Sequence, residues 1–453
     1  MTSGARLAPE VIEIGEPVFL RGNPAGIEAS AWDSLRRTRV FLKAPITTPQ
    51  GGGFKSLNVT VRKTLGLYAN VRPCVSYAPF VATKHPVMDV VIVRENEEDV
   101  YGGIEHRQTD EVYQCLRLIT RPGTEKIVRY AFDYARRNNR RKVTCFTKDN
   151  IMKMTDGLFH QVFDEIAAQY PDIENEHMIV DIGAAKLADT PEAFDVVVLP
   201  NLYGDILSDV AAQITGSVGL AGSANIGEGI AMFEAIHGSA PRRAGQNLAN
   251  PSGMLLAGVM MLVHIGQTDV AERVHNAWLS TIEDGIHTYD IHSPGVSSAQ
   301  VGTREFAEAV IARFGQEPRH LAPVRYEHGV APMTTARPAP RPAATKQLVG
   351  MDMFLHWPAV SPDQVAARAV TLNGDGLDLA VITNRGTKVW PDGSPETFCT
   401  DHWRCRFTAT VGTTNAHLIR LLQRADDAGL DVIKTENLYT FDGQPGFSVA
   451  QGQ

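Results

Sequence analysis

The sequence predicts an α/β protein, because strand-like and helix-like stretches alternate along most of the chain. Apolar runs at residues 88–93, 142–147 and 196–199 are typical of buried strands, and residues 125–138 have the spacing of an amphipathic helix. The run at 196–199 leads through a turn into a second amphipathic stretch at 206–213. Ligands bind at such turns in open α/β sheets, because the strand end and the helix start open onto one crevice.

The remaining elements can be assigned in chain order. In the first half we expect a β-prone segment at 11–20, a helix at 30–38, a strand at 39–43, a glycine-rich turn at 47–56, a helix at 57–68, a β-prone segment at 112–120, a helix at 150–169 and a strand at 177–180. In the second half we expect helices at 252–266, 269–283, 304–314 and 415–429 and strands at 377–383 and 403–411. Residues 331–347 are rich in Pro, Ala, Thr and Arg and indicate an extended linker.

Composition narrows the class of protein. The 453 residues are 43% hydrophobic and 21% charged, as in an ordinary globular protein with two or three domains. A net charge of -8 argues against a nucleic-acid partner, and the longest apolar stretch, residues 254–265, is too short to cross a bilayer. The odd count of 5 cysteines favours a reducing compartment, so we expect a cytoplasmic protein.

Two aspartates follow the strand at 196–199. Asp205 is predicted to cap the helix that begins there, and Asp209 lies four residues further on, so both carboxylates would project from one face. A divalent cation such as Mg2+ or Mn2+ would turn their repulsion into coordination. Taken alone, the pair is better explained as a capping aspartate and a solvated neighbour than as a metal site.

A second candidate site is an anion site at the glycine-rich turn. The turn precedes a helix, so backbone N–H groups and the helix dipole would face a ligand there. Guanidinium groups match carboxylates in a bidentate manner, and several arginines follow. The polar candidates are Ser56, Asn58, Arg62, Arg72 and Arg94.

Other candidates stand at loops or element ends. Tyr101 precedes paired glycines, and Asp181 ends a predicted strand. Lys153 is expected near a helix start, where the dipole disfavours it; a proton-transfer role and a plain surface position both remain open. His237, followed by Gly238 and by the Arg242–Arg243 pair, is either a structural residue or part of a nucleotide site.

Near the C-terminus, Cys399, His402 and Cys405 have metal-ligand spacing but lack a fourth ligand. We therefore interpret them as structural residues and not as zinc ligands.

Taken together, these stretches resemble the isocitrate dehydrogenases, within the metal-dependent β-decarboxylating dehydrogenases. The resemblance rests on TTPxGGGxxSLNVxxR, VRENxEDxYGGIEH, NIMKxTDG, LYGDILSD and FEAxHGSAP. Two further segments, ITNRGTK and FDGQPGF, resemble the bacterial form that carries an extra C-terminal domain.

The resemblance implies a fold and a domain division. We expect the three-layer isocitrate/isopropylmalate dehydrogenase-like α/β fold, not a Rossmann fold, plus a small C-terminal α/β domain. The catalytic region would span 1–330, with a large domain at about 1–68 and 216–330 and a small domain with a dimer clasp at about 69–215. The linker would span 331–347 and the C-terminal domain 348–453.

The resemblance also implies a reaction and roles. The reaction would be the NADP-linked oxidative decarboxylation of isocitrate to 2-oxoglutarate and CO2 in the tricarboxylic acid cycle, by a homodimer with shared active sites. Substrate carboxylates would be held by Ser56, Asn58, Arg62, Arg72 and Arg94, with Tyr101 and Lys153 as catalytic residues. Metal ligands would be Asp205, Asp209 and the neighbour's Asp181. Cofactor contacts would come from Thr47, Thr48, His237, Gly238, Arg242, Arg243, Asn250 and Tyr289.

Three departures from the family pattern bear on these expectations. Members usually begin with a strand, Gly-Asp-Gly-x-Gly-Pro-Glu and a helix, so we expect a start upstream or a divergent, inactive version. Arg242–Arg243 replaces a Lys-Tyr pair and favours the 2′-phosphate of NADP over NAD. Ser293 stands where an arginine is expected four residues after Tyr289.

Two alternatives remain open. A related dehydrogenase acting on homoisocitrate, isopropylmalate or tartrate would share the fold, although Ser56 and Asn58 argue against the apolar recognition patch of the isopropylmalate enzyme. A non-catalytic subunit of the same fold is the second, although it would not need to retain Tyr101, Lys153 and the aspartates.

Overall fold

The computed structural model describes residues 4–48, 56–327, 341–409 and 412–450. Most of the predicted glycine-rich turn and most of the predicted linker lie outside these ranges. The chain divides into two compact units, one formed by Met1–Gly102 and Arg117–Pro338 and the other by Gly103–Leu116 and Ala339–Gln453. The finer division into a large and a small domain stays a prediction.

The α-helices within the described ranges are α1 (Glu16–Leu20), α2 (Ala29–Thr38), α3 (Leu57–Thr64), α4 (Arg121–Arg137), α5 (Thr155–Ala167), α6 (Val180–Asp189), α7 (Asn201–Ile214), α8 (Ser252–His264), α9 (Thr268–Glu283), α10 (Thr303–Ile311), α11 (Pro362–Ala369) and α12 (Asn415–Asp427). The strands are β1 (Val40–Leu42), β2 (Ala69–Val75), β3 (Asp89–Glu95), β4 (Glu105–Arg107), β5 (Tyr113–Cys115), β6 (Lys142–Thr147), β7 (Glu174–Ile179), β8 (Val196–Leu199), β9 (Gly222–Ile226), β10 (Ala231–Ala235), β11 (Ile286–His287), β12 (Ala299–Gln300), β13 (Lys346–His356), β14 (Leu377–Asn384), β15 (Thr387–Trp390), β16 (His402–Ala409), β17 (Val432–Phe441) and β18 (Gln444–Pro445).

The first unit is built on a mixed eight-stranded sheet in the order β1-β10-β9-β2-β3-β8-β6-β7. β3, β8, β6 and β7 run parallel, whereas β2 pairs antiparallel with both β3 and β9. Two cores lie on its faces. Val91 and Val93 pack into a core with α4 and α5, and Val90 and Ile92 pack into another with α6 and α7. Because successive strand residues face opposite sides, helices cover both, and the predicted three-layer fold is confirmed.

The second unit is a six-stranded antiparallel sheet in the order β15-β14-β16-β13-β17-β18. Its core includes Trp403, Phe407 and Leu421. The β4–β5 hairpin belongs to this unit: Thr109 Oγ1 donates to Asp401 Oδ1 at 2.6 Å, and Lys434 Nζ donates to Gln114 Oε1 at 3.2 Å.

Most predicted elements are confirmed, but some predictions were wrong in type or extent. Part of the β-prone segment at 11–20 forms α1. The helix predicted at 57–68 ends at Thr64, where Leu65 leads into a turn, and the one predicted from 150 begins at Thr155, so Lys153 lies in the preceding turn. Asp181 lies in the first turn of α6. No helix among the described residues is long and apolar enough to cross a membrane.

The second unit contains a buried ion pair whose removal we expect to destabilise it. Arg406 donates from Nε and Nη2 to the two oxygens of Asp352 at 2.7 and 2.8 Å, and both side chains are only 4% exposed. Asp352→Asn leaves the guanidinium buried without a charge partner, so we expect a loss of about 3–5 kcal/mol in the free energy of unfolding. Calorimetric unfolding checks this. Asp378→Asn, at an exposed position of β14, is the control, and equal effects of the two changes would contradict the assignment.

Candidate active site

The site is organised by the carboxyl ends of β3 and β8. The parallel register places Arg94 beside Leu199, and α7 begins two residues later at Asn201. Arg94 Nε donates to the Asn201 carbonyl oxygen at 3.1 Å, and Nη2 donates to Asn201 Oδ1 at 2.7 Å. The predicted crevice between the strand end and the helix start is therefore present, and the side chain of Arg94 lies at its base.

Gly204 allows α7 to approach Arg94 closely. A Cβ at this position would lie 2.5 Å from Arg94 Cγ, nearer than non-bonded carbon atoms approach. Gly204 is buried within the helix, where glycine is less favourable than alanine by about 1 kcal/mol. The packing against Arg94 explains why glycine stands here.

The two aspartates project from α7, but Asp205 does not cap it. The helix starts at Asn201, with Pro200 at the N-cap position and no side-chain cap, because the first helical turn forms five residues earlier than predicted. Asp205 and Asp209 thus lie one turn apart on one face of the helix. Arg72 reaches both, with Nη2 3.5 Å from Asp205 Oδ1 and Nη1 3.6 Å from Asp209 Oδ1.

The two carboxyl groups differ in their electrostatic surroundings. Burial raises the pKa of Asp205, but the Arg94 and Arg72 guanidiniums outweigh it and the net pKa is lowered. Burial also raises the pKa of Asp209, and there the more distant Arg72 does not compensate. Asp209 is therefore the carboxylate whose charge is less well neutralised by the protein.

Tyr101 lies against the same pair of charges. Its hydroxyl donates to Asp205 Oδ2 at 2.5 Å, and Arg94 Cζ is 4.9 Å from its ring centroid. Burial raises the pKa of Tyr101 to about 12, although Arg94 opposes the shift. The phenol consequently keeps its proton at neutral pH and can deliver it.

A cavity of about 220 Å³ opens over these groups. The predicted residues that line it are Thr48, Ser56, Asn58, Arg62, Arg72, Arg94, Tyr101, Asp205, His237 and Gly238. Within the described ranges, Asn58 Oδ1 and Arg62 Nε are buried without a hydrogen-bond partner. A buried polar atom without a partner is costly, so these two are placed to bind a ligand.

Sequence reasoning missed two charged residues under the cavity. Glu234 on β10 accepts from Lys43 Nζ at 2.6 Å and from Arg62 Nη2 at 2.8 Å, and the Glu234 and Lys43 side chains are 6% and 3% exposed. A charged residue inside or at the end of an apolar strand was the available signal. Arg72 is held by two further unpredicted residues, Asn70 and Ser208, each at 2.6 Å.

Of the predicted cofactor residues, Thr48, His237 and Gly238 line the cavity. Thr47 Oγ1 is 2.7 Å from Ser239 Oγ, which follows Gly238. Arg243 Cζ lies 4.7 Å from the ring centroid of Tyr289, and both Arg242 and Arg243 are exposed.

Asn250, the last predicted cofactor contact, is buried. Its Nδ2 donates to Asp290 Oδ2 at 3.0 Å, and its Oδ1 accepts from Ser252 N at 3.0 Å.

Eight predicted residues do not line the cavity: Thr47, Asp209, Arg242, Arg243, Asn250 and Tyr289, described above, and Lys153 and Asp181. Lys153 is exposed, and Asp181 pairs with Lys148 Nζ at 2.7 Å with its own side chain 66% exposed. Even without Asp181, Asp205 and Asp209 offer carboxylate oxygens on one helix face, and such hard ligands suit Mg2+ or Mn2+. Within the described ranges, Cys399, His402 and Cys405 do not form a metal-binding group.

The fold and site define an α/β enzyme with an arginine-lined anion site beside paired carboxylates. Residues 2–310 match the model of the isocitrate/isopropylmalate dehydrogenase family, and residues 346–453 match that of the bacterial isocitrate dehydrogenase C-terminal domain. The chain belongs to the isocitrate/isopropylmalate dehydrogenase family.

Individual relatives agree with this assignment. A Rickettsia bellii protein named isocitrate dehydrogenase [NADP] is 53% identical over 457 residues, covering 99% of this chain and 94% of the relative. An Arabidopsis thaliana protein named isocitrate dehydrogenase [NAD] catalytic subunit 6, mitochondrial, is 47% identical over 62% of this chain and 74% of its own length. A crystal structure of a Thermus thermophilus protein superposes with a TM-score of 0.94 at 42% identity, covering 100% of this chain and 91% of that one.

The buried Glu234 gives a prediction about stability and its pH dependence. Burial raises the pKa of Glu234, yet Lys43 and Arg62 outweigh it, and the net pKa is well below its usual value. The stabilisation is therefore complete above the unfolded-state pKa of about 4.3 and is lost as the pH falls below it. Glu234→Gln should cost about 3–5 kcal/mol of unfolding free energy near neutral pH, and its difference from the wild type should narrow towards about pH 3.

Urea unfolding at the two pH values measures this effect. Glu228→Gln is the matched control, because Glu228 is 55% exposed and pairs with Lys126 at 3.6 Å; we expect it to change the free energy by less than about 1 kcal/mol. A difference between wild type and Glu234→Gln that does not vary with pH would contradict the assignment.

Proposed function

We propose that this chain is an isocitrate dehydrogenase that converts isocitrate to 2-oxoglutarate and CO2, with NADP as hydride acceptor and Mg2+ or Mn2+ as the required cation. The observation that carries the proposal is the cavity over Arg62, Arg72 and Arg94, where Arg62 Nε and Asn58 Oδ1 lack partners among the described residues. A tricarboxylate supplies three anionic groups to such a set, and guanidiniums bind carboxylates in a bidentate manner.

The arginines bind and orient the substrate. Arg72 and Arg94 are already held by Asn70, Ser208 and Asn201, so their positions are set before a ligand enters. Such preorganisation lowers the cost of aligning the reacting carbon. Ser56 and Asn58, at the start of α3, also line the cavity and provide polar contacts that distinguish a carboxylate from an apolar group.

Proton transfer falls to Tyr101 and Lys153. When bound, the cation supplies Lewis-acid polarisation of the substrate's keto and hydroxyl oxygen. Tyr101, protonated and hydrogen-bonded to Asp205, delivers its proton to the carbon that loses CO2. Lys153 exchanges the proton of the substrate hydroxyl.

The active site is completed by a second copy of the chain in a homodimer. Lys153 and Asp181 do not line the cavity of their own chain and are exposed, which supports a role at the neighbour's cavity. The predicted cytoplasmic location fits the five cysteines, all of which are free thiols.

Turnover with a panel of substrates tests the proposal. NADP reduction with Mg2+ should be fastest with isocitrate and low with isopropylmalate, homoisocitrate and tartrate. A different preferred substrate would assign the chain to a sister activity, and no turnover by a well-folded dimer would favour a non-catalytic subunit. Asp209→Asn should abolish metal-dependent turnover while the circular dichroism spectrum stays unchanged, and retained activity would refute the metal assignment.

The choice of NADP rests on the exposed Arg242–Arg243 pair. A hydrogen bond to a charged group contributes about 1.5–3 kcal/mol, so replacing both arginines with alanine should raise the KM for NADP by roughly tenfold or more. The KM for NAD should change little, because NAD lacks the 2′-phosphate. Arg137→Ala, at an exposed position of α4, is the control. Equal or better kcat/KM with NAD in the wild type would contradict the prediction.

A further inference from the structure

Three metal-ligating side chains cluster outside the cavity. Asp149, His160 and His177 each offer an atom within 4.8 Å of the others. Asp149 Oδ2 is 2.6 Å from His160 Nδ1 and 4.0 Å from His177 Nε2. The two imidazoles are stacked, with ring centroids 3.4 Å apart and planes inclined by 16°.

The cluster joins three elements at one edge of the first unit's sheet. Asp149 follows β6, His160 lies on α5, and His177 lies on β7, the edge strand. The side chains of Asp149, His160 and His177 are 21%, 28% and 15% exposed. An ion from solvent can therefore reach them without unfolding.

The carboxylates of Asp149 and Asp164, which lie beside the two imidazoles, favour a bound cation. Two protonated rings would repel each other at this stacking distance. His160 Nδ1 donates to Asp149 Oδ2 at 2.6 Å, and Asp164 Oδ2 lies 3.6 Å from His160 Nε2 on the other side of the ring. A metal ion would bind His160 and Asp149 in place of the proton on Nδ1. Two aspartates and two neutral imidazoles then carry a charge of about -2, which a divalent ion balances.

The hydroxyl of Thr147 lies next to the ring of His177 and bears on which nitrogen of that ring carries the proton. Thr147 Oγ1 is 2.8 Å from His177 Nε2. When the hydroxyl donates, Nε2 carries the lone pair, and a metal ion would take the place of the hydroxyl on that lone pair.

We propose that Asp149, His160 and His177 form a binding site for a divalent transition-metal ion, separate from the carboxylate pair of the active site. Two imidazoles and one carboxylate suit Zn2+, Co2+ or Cu2+ better than Mg2+. To form metal bonds of about 2.0–2.2 Å, the two stacked rings must rotate, because the lone pair of an imidazole nitrogen lies in the plane of its ring. The bound ion ties the end of β6 and α5 to the edge strand β7.

The position of this site gives it a structural consequence. Lys153 lies four residues after Asp149, and Asp181 lies four residues after His177. The ion would thus fix both segments that carry the two exposed residues missing from the cavity of their own chain. The inference does not depend on catalysis and goes beyond the proposed function.

Two measurements on the untagged full chain test the site. The first is an anomalous difference map at the cobalt or zinc edge from crystals soaked with that ion, which we expect to show a peak between Asp149, His160 and His177. The second is electron spin-echo spectroscopy with Cu2+, which detects the remote nitrogen of an imidazole ring that is bound to the ion. His160→Gln and His177→Gln should each change this nitrogen signal, whereas His106→Gln, at an exposed histidine, should leave it as in the wild type.

The outcomes separate this site from the active site. His237 lines the cavity, so an imidazole signal that His160→Gln and His177→Gln leave unchanged would place the ion elsewhere and overturn the proposal. A wild-type map without a peak at the cluster would also overturn it, whatever the variants do. Asp149→Asn retains both histidines and should lower the Co2+ affinity at least tenfold, and an unchanged affinity would contradict the carboxylate's role.

Discussion

The pairing of buried cations with carboxylates is the constraint on which the site depends. Arg62 and Lys43 share Glu234, and Arg72 and Arg94 share Asp205. An unpaired charge in these positions would cost several kcal/mol. The pairing holds an anion-binding surface together while leaving Arg62 Nε and Asn58 Oδ1 without partners among the described residues. The same interactions therefore stabilise the fold and prepare it for a ligand.

The mixed topology of the sheet brings these charges into one place. Arg94 stands at the carboxyl end of β3, whereas Arg72 lies on β2, which runs in the opposite direction. Register pairs Asn70 with Arg94 and with Asn225, so the two arginines meet over the amino end of α7. Gly204 then lets the helix reach Arg94. Strand order, strand direction and the glycine at position 204 together bring Arg72, Arg94 and α7 to the same place.

One chain supplies the anion-binding part of the site, and the exposed Lys153 and Asp181 stand on another edge of the first unit. The segments that carry them are those that Asp149, His160 and His177 connect. If an ion binds there, the rigidity of these two segments depends on a site that does not touch substrate. Catalytic geometry and local metal binding would then be coupled through the backbone of β6, α5 and β7, and not through the cavity.

The sequence by itself determined the α/β class, most helices and strands, and the residue types of the anion site, because apolar periodicity and long motifs are local signals. It placed the Asp205 helix start wrongly and put strands at 11–20, because helix ends and weak β-prone segments depend on packing.

Only the tertiary structure decided which charges are paired. Glu234 reaches Lys43 and Arg62 from 191 and 172 positions away in the sequence, and Asp149, His160 and His177 have no recognisable spacing. These contacts follow from strand order and register, which bring distant residues together and leave no signal in any local stretch of the chain.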